Sequence, residues 1–237
     1  MNIQKIAILT SGGDSPGMNA CIRSVVRCAI SQKRNVIGIM RGYEGMIHGE
    51  FVELNARSVS NILQRGGTIL KTARSKAFMT AEGMKKAYDN LCEEGIEGII
   101  AIGGDGTLKG AVAFNKFNNI PFIGIPGTID NDLFGTDYTI GFDTALNTII
   151  DAVDKIKDTA ASHDRLFFVE VMGRDSGCLA LYAGIACGAE EILMPEQKTD
   201  INALVEKLKE SVLRRKTSSV VIVAEGDDGG GAFKIAE

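Results

Sequence analysis

Four short stretches gather the residue types that phosphate chemistry uses: SGGDSPGMNA (11–20), GGDGT (103–107), PGTIDND (126–132) and MGRDSG (172–177). The third sets Asp130 and Asp132, with the hydroxyl of Thr128, behind the apolar run NIPFIGI (119–125) and a Pro-Gly turn. A carboxylate within hydrogen-bond reach of an alcohol serves as general base when that alcohol attacks a phosphoryl group. The glycines of the first stretch allow close backbone approach, Pro16 suits the opening turn of a helix, and the free N–H groups there attract an anion. The second stretch places a carboxylate, Asp105, inside such a loop. A phosphate bound there needs a cation between the negative groups, and Mg²⁺ bridging phosphate oxygens fits. Each stretch also has a plain reading: one glycine loop is commonly a simple βα turn, Asp14 a helix cap, Asp132 a turn residue, and Arg23 with Arg27 a solvated helix face. What favours a site is that several of these glycine- or acid-rich turns are expected to fall on the same edge of one sheet.

The candidate strands are short apolar runs: IAILT (6–10), VIGIM (36–40), GIIAIG (98–103), PFIGI (121–125), LFFVEVM (166–172), EILM (191–194) and SVVIVAE (219–225). They are continuous rather than alternating, as expected of strands covered on both faces. Segments 17–31, 141–158 and 200–213 carry one apolar stripe each at helical spacing, for example Met18, Ile22, Val25, Val26 and Ala29. Strand–helix alternation predicts an α/β fold with mostly parallel sheets and helices on both faces. In such sheets ligands sit beyond the carboxyl ends of the strands, where the four stretches fall. The loop around LFGTDYT (133–139) is the expected boundary between a nucleotide lobe, 1–137, and a substrate lobe, 138–237.

The 237 residues are 45% hydrophobic and 24% charged, ordinary for a globular chain. The net charge of −4, with scattered Lys and Arg, argues against a nucleic-acid partner. Five cysteines form no CxxC pair, and only two histidines are present, so a zinc site is not expected. No apolar run is long enough for a membrane span, and the first residues do not read as a signal peptide, which makes a reducing cytoplasm the expected compartment.

Walker A and protein-kinase signatures are absent, and GGDGT alone also occurs in NAD and lipid kinases. The combination is more specific. TSGGDSPGMNA (10–20), RGGTILKTAR (65–74), IGGDGT (102–107), PGTIDNDLFGTDYTIGFDTA (126–145), SHDR (162–165) and VEVMGRDSG (169–177) together closely resemble the bacterial 6-phosphofructokinases, in family order and spacing. The resemblance implies two Rossmann-like lobes and transfer of the ATP γ-phosphate to the 1-hydroxyl of fructose 6-phosphate. It implies Asp130 as base, with Thr128 and Arg174 assisting, and Asp105 as the Mg²⁺ ligand. Gly13, Arg74, Ser75, Gly104, Asp105, Gly106 and Thr107 would surround ATP. Thr128, Ile129, Asp130, Asp132, Met172, Gly173, Arg174 and Glu225 would meet the sugar phosphate, and Arg165 would reach that of a neighbouring subunit in a homotetramer. Family chains continue past residue 237, so the C-terminal part of the family chain is expected to be missing here.

Pyrophosphate-dependent relatives resemble GGDDS and PKTIDND; Gly106 and Gly127 here favour ATP instead. Arg23, Arg27, Lys157, Gly188, Glu190, Arg214 and Lys216 match the family's site for an ADP or phosphoenolpyruvate effector. Ala56 and Asn61 depart from its RYSVSD pattern and Lys157 stands for an arginine, which loses bidentate phosphate geometry and predicts altered allostery. A pyrophosphate-dependent enzyme, a kinase for another small acceptor and a catalytically incomplete nucleotide-binding fragment are the alternatives.

Overall fold

The computed structural model describes residues 3–163, 165–214 and 219–237, and they fall into two units. The first comprises residues 1–128 and 139–141, the second 129–138 and 142–237. The sequence puts the boundary at 137; here the chain leaves the first unit at 128 and returns for three residues. Those residues return because Thr139 Oγ1 donates to the Thr128 carbonyl at 2.7 Å and the short strand Ile140–Gly141 pairs with Gly127–Thr128.

In the first unit, β1 (Lys5–Ser11), β2 (Asn35–Ile39), β3 (Phe51–Leu54), β4 (Gly98–Gly103), β5 (Phe122–Thr128) and β6 (Ile140–Gly141) form one sheet in the order β3-β2-β1-β4-β5-β6. Only β3 runs antiparallel, against β2. The apolar runs of β1, β2 and β4 are largely buried on both faces, as their continuity predicts, whereas β5 is not: Ile123 is 62% exposed. Ile8, Val36 and Ile102 pack with Met18, Ile22 and Val26 of α1 (Met18–Ser31). Ala7, Leu9, Ile37, Ile39, Ile99 and Ala101 pack under α2 (Gly42–His48), α3 (Ala81–Glu93) and α4 (Asp105–Phe117). Strand order reverses at β1, whose two sides hold β2 and β4, so the loops after β1 and β4 flank the switch point where parallel sheets bind ligands.

Two expectations change. The Pro-Gly pair is no turn: β5 runs through Pro126 and Gly127 to Thr128, since the fixed φ of proline is compatible with extended backbone. Gly127 is required by packing, because a Cβ there would lie 2.8 Å from Ile102 Cγ2.

The second unit holds a parallel sheet of its own, ordered β7 (Leu166–Val171), β9 (Ser219–Ala224), β8 (Glu191–Leu193), so MGRDSG, which follows β7, does not share the sheet edge of the glycine loops as the sequence suggested. Val220, Ile222 and Ala224 face α5 (Phe142–His163) and α6 (Cys178–Cys187). Val221 and Val223 face Leu204 of α7 (Ile201–Leu213) and Ala232 of α8 (Ala232–Ala236). Among the described residues no helix is long and apolar enough to cross a membrane.

Candidate functional site

In the first unit Ser11 and Gly103 stand opposite each other at the carboxyl ends of β1 and β4. Thr107 Oγ1, buried, donates to the Ser11 carbonyl at 3.0 Å and ties the two loops together. Gly103 must be glycine, since a Cβ would lie 2.4 Å from that Oγ1 and 2.5 Å from the Ser11 carbonyl oxygen. Gly13 and Gly106 differ: both are exposed, neither has φ in the left-handed range, and no atom lies within 4 Å of a Cβ built on either. The protein's own packing does not ask for glycine at these two positions; a close-fitting ligand would. The N-cap of α4, Gly104, makes no side-chain cap bond. The amides of Thr107 and Leu108 return to the Gly104 carbonyl at 3.0 and 3.2 Å, and those of Asp105 and Gly106 precede them at the positive end of the helix dipole. The exposed Asp105 carboxylate pairs with Lys109 at 2.6 Å. Arg74 is exposed beside Ser75, whose Oγ accepts from the Phe78 amide at 3.1 Å. A hydrogen bond from Ser75, then His48 and Arg41, hold Glu44 below the usual carboxylate range. Thr128, part-buried, lies against Gly104, with its Cβ 3.5 Å from where that glycine would carry one.

In the second unit two of the catalytic candidates, Asp130 and Arg174, meet from two separate loops, while Thr128 belongs to the first unit. Asp130 is 7% exposed, and Arg174 Nε lies 3.5 Å from its Oδ2. Both loops are left-handed: Asn131 has φ 50° and Arg174 φ 52°. Residues other than glycine pay about 1–2 kcal/mol for that conformation, and such strain gathers at functional sites. Glu225 Oε1 accepts from the amides of Gly173 at 3.1 Å and Arg174 at 2.5 Å, and Ser176 N closes the turn onto the Gly173 carbonyl at 3.0 Å. Gly226 lets the chain pass beneath, since a Cβ there would meet the Arg174 carbonyl oxygen at 2.0 Å. Ile129 is half-buried, while Asp132 and Met172 are exposed. Arg165 is exposed but precedes β7, whereas Met172 and Gly173 follow it. Six strand residues separate them by about 20 Å, so Arg165 stands apart from Met172 and Gly173 of its own chain.

Several of the effector candidates have structural partners. Arg23 donates to the Val59 carbonyl at 2.5 Å and ties α1 to the 55–63 loop, in which Asn61 is left-handed at φ 54°. Arg27 is exposed. Lys157 donates to the Cys187 carbonyl at the end of α6, and Gly188 caps that helix at φ 59°. Glu190 accepts from Ser211 at 2.9 Å and Ser219 at 3.5 Å; Arg214 pairs with Glu210 at 3.5 Å. Lys216, and Asp164 of the SHDR stretch, lie outside the described residues. Sequence reasoning missed Thr139, which holds the Thr128 carbonyl, because only the fold brings the two side by side.

The phosphofructokinase family pattern matches residues 5–237. The chain belongs to that family. It is 59% identical over 230 residues to ATP-dependent 6-phosphofructokinase 1 of Thermus thermophilus, covering 97% of this chain and 71% of that protein. It is 58% identical over 235 residues to ATP-dependent 6-phosphofructokinase 2 of Bacteroides thetaiotaomicron, covering 99% of this chain and 72% of the relative. Among solved structures, phosphofructokinase from Saccharomyces cerevisiae superposes with a TM-score of 0.90 at 40% identity, over 94% of this chain and 34% of that one.

Proposed function

We propose that the protein is an ATP-dependent 6-phosphofructokinase, moving the γ-phosphate of ATP to the 1-hydroxyl of fructose 6-phosphate in glycolysis. The observation that carries the reading is a nearly buried carboxylate, Asp130, set beside a guanidinium on a strained, clamped loop. Names of relatives at 58–59% identity support the same reaction.

Asp130 takes the proton from the sugar hydroxyl as it attacks. Arg174 offsets negative charge on the phosphoryl group in flight, a task suited to a preorganised cation. Thr128 donates a hydrogen bond, and Asp132, Ile129, Met172, Gly173 and Glu225 shape the sugar-phosphate side. Gly13, Gly104, Gly106 and Thr107 admit the nucleotide phosphates against backbone amides, with Arg74 and Ser75 beside them. Asp105 would hold Mg²⁺. Among the described residues no group of three or more His, Cys, Asp or Glu gathers, and the exposed Asp105 carboxylate, paired with the exposed Lys109, suits an ion that displaces that amine and takes its other ligands from phosphates and water. The ion would supply neutralisation of the phosphate charge.

ATP is favoured over pyrophosphate by the open space at Gly106. Gly127 no longer bears on the donor, because packing explains it. Arg165 precedes β7, at the opposite end from Met172 and Gly173; we take it to serve the sugar phosphate of a neighbouring subunit in a homotetramer. We assign the enzyme to the cytoplasm. ADP or phosphoenolpyruvate acts through Arg23, Arg27, Lys157, Gly188, Glu190, Arg214 and Lys216, with a weakened response because several of these are held in structural bonds.

The test is a coupled assay with fructose 6-phosphate and either ATP or pyrophosphate. Turnover with ATP and its collapse, by about 10²-fold or more, in Asp130→Ser with sugar-phosphate binding retained is the expected result. Turnover with pyrophosphate alone, or an active Asp130→Ser, would reject it.

A further inference from the structure

The 41–46 segment, RGYEGM, carries none of the roles above, yet its tyrosine reaches the phosphate loop. Arg41 and Gly42 enter α2 in left-handed backbone, at φ 56° and 60°. A Cβ on Gly42 would lie 2.6 Å from the Thr10 carbonyl oxygen, so the start of α2 is pressed against the end of β1. From there Tyr43, 5% exposed, stacks on Phe78 with centroids 4.1 Å apart and an interplanar angle of 11°. Its hydroxyl donates to the carbonyl of Thr107 at 2.6 Å. Gly110, one turn on, gives the ring room: a Cβ there would sit 2.9–3.2 Å from its Cε2, Cζ and hydroxyl oxygen.

A buried phenol without an acceptor would be costly, and the Thr107 carbonyl satisfies it. Burial pushes the phenol above its ordinary pKa, so it remains a donor at physiological pH. Thr107 is thereby gripped twice, through its side chain by Ser11 and through its carbonyl by Tyr43. These two bonds fix the first turn of α4 against β1 and α2.

We propose that Tyr43 is a positioning residue for the nucleotide loop: its hydroxyl, through the Thr107 carbonyl, sets the direction in which the amides of Asp105 and Gly106 present themselves to phosphate. The inference rests on the reading of GGDGT as the nucleotide loop. It acts on binding of the nucleotide and leaves the sugar phosphate alone.

The experiment compares the wild type with Tyr43→Phe, which keeps the ring and its stacking on Phe78, and with Ile47→Val. The latter is a buried residue of the same core, weakened without a route to the Thr107 carbonyl. Titration calorimetry with Mg·ATP should show affinity falling about 3- to 10-fold in Tyr43→Phe, the range one buried hydrogen bond supports. Fructose 6-phosphate affinity should be unchanged in Tyr43→Phe, and both affinities should be unchanged in Ile47→Val. Amide exchange without nucleotide gives a second measurement: the Leu108 amide should exchange faster in Tyr43→Phe, with α1 amides unaffected. Wild-type ATP affinity and Leu108 exchange in Tyr43→Phe would overturn the inference alone, as would an equal ATP loss in Ile47→Val. A wild type that binds no ATP would overturn the nucleotide-loop reading with it.

Discussion

Replacing Glu225 by alanine isolates the clamp that holds Arg174 over Asp130. One carboxylate oxygen receives both the Gly173 and Arg174 amides, and Arg174 occupies φ 52°. Hydrogen bonds to a charged acceptor contribute about 1.5–3 kcal/mol when shielded. Glu225 is exposed, so about 1 kcal/mol for each, or roughly 2 kcal/mol together, is the fitting scale. That matches the roughly 1–2 kcal/mol of strain in a left-handed arginine. Losing 2 kcal/mol shifts the balance between clamped and relaxed loops by up to about 30-fold. The expected outcome in the coupled assay is a fall in kcat/KM for fructose 6-phosphate of several-fold to about 30-fold, with KM for ATP unchanged. Glu225→Gln keeps an acceptor oxygen and should lose much less. Amide exchange settles whether the clamp is the cause: Gly173 and Arg174 should exchange faster in free Glu225→Ala than in the free wild type. Identical exchange at those two amides, with kinetics still impaired, would refute the clamp and leave Glu225 as a direct sugar-phosphate contact.

Gly106→Asp should fold with an unchanged Tm, because no atom lies near its Cβ, while KM for ATP rises at least about tenfold, the scale of one opposed charge contact; unchanged ATP kinetics would contradict the steric and electrostatic account. Gly103→Ala should show the reverse pattern, a lowered Tm from the collision with Thr107 and Ser11. Glu97 accepts from the Gln4 and Lys5 amides, which hold its carboxyl below the ordinary value of 4.5. A depressed folded pKa means its stabilisation is present above 4.5 and lost as pH falls through the lower folded value. The urea midpoint of wild type should therefore exceed that of Glu97→Gln at pH 6 and converge with it below pH 4.5, and a gap that persists unchanged into acid would count against this.

Elements whose burial is written into composition were legible from the sequence. The seven apolar runs each became a strand in the expected place, because β-branched and other apolar side chains favour extended backbone, although β5 and β7 leave Ile123 and Leu166 exposed. β3 was not, since FVEL has a charge in its middle and becomes a strand only by pairing with β2. Nor was α6, whose CLALYAGIAC is apolar all round and so carries no stripe to read. The extension of β5 through Pro126 was hidden behind a dipeptide that ordinarily turns.

The sequence by itself determined which residue types the chemistry has at hand: the glycine loops, Asp105, the carboxylates of TIDND and the arginine of MGRDSG. Type and spacing follow from the chain, and the phosphate loops follow their strands directly, so local order suffices to place them. Only the tertiary structure decided which of these residues meet. It brought Glu225 beneath Arg174 from 51 residues away and Tyr43 onto Thr107 from 64 residues away, and it separated Arg165 from Met172 though they are close in sequence. Contacts across such distances depend on sheet order and on which face of a helix turns inward. Those are set by the packing of the whole unit, where burial of one side chain depends on every neighbour that covers it.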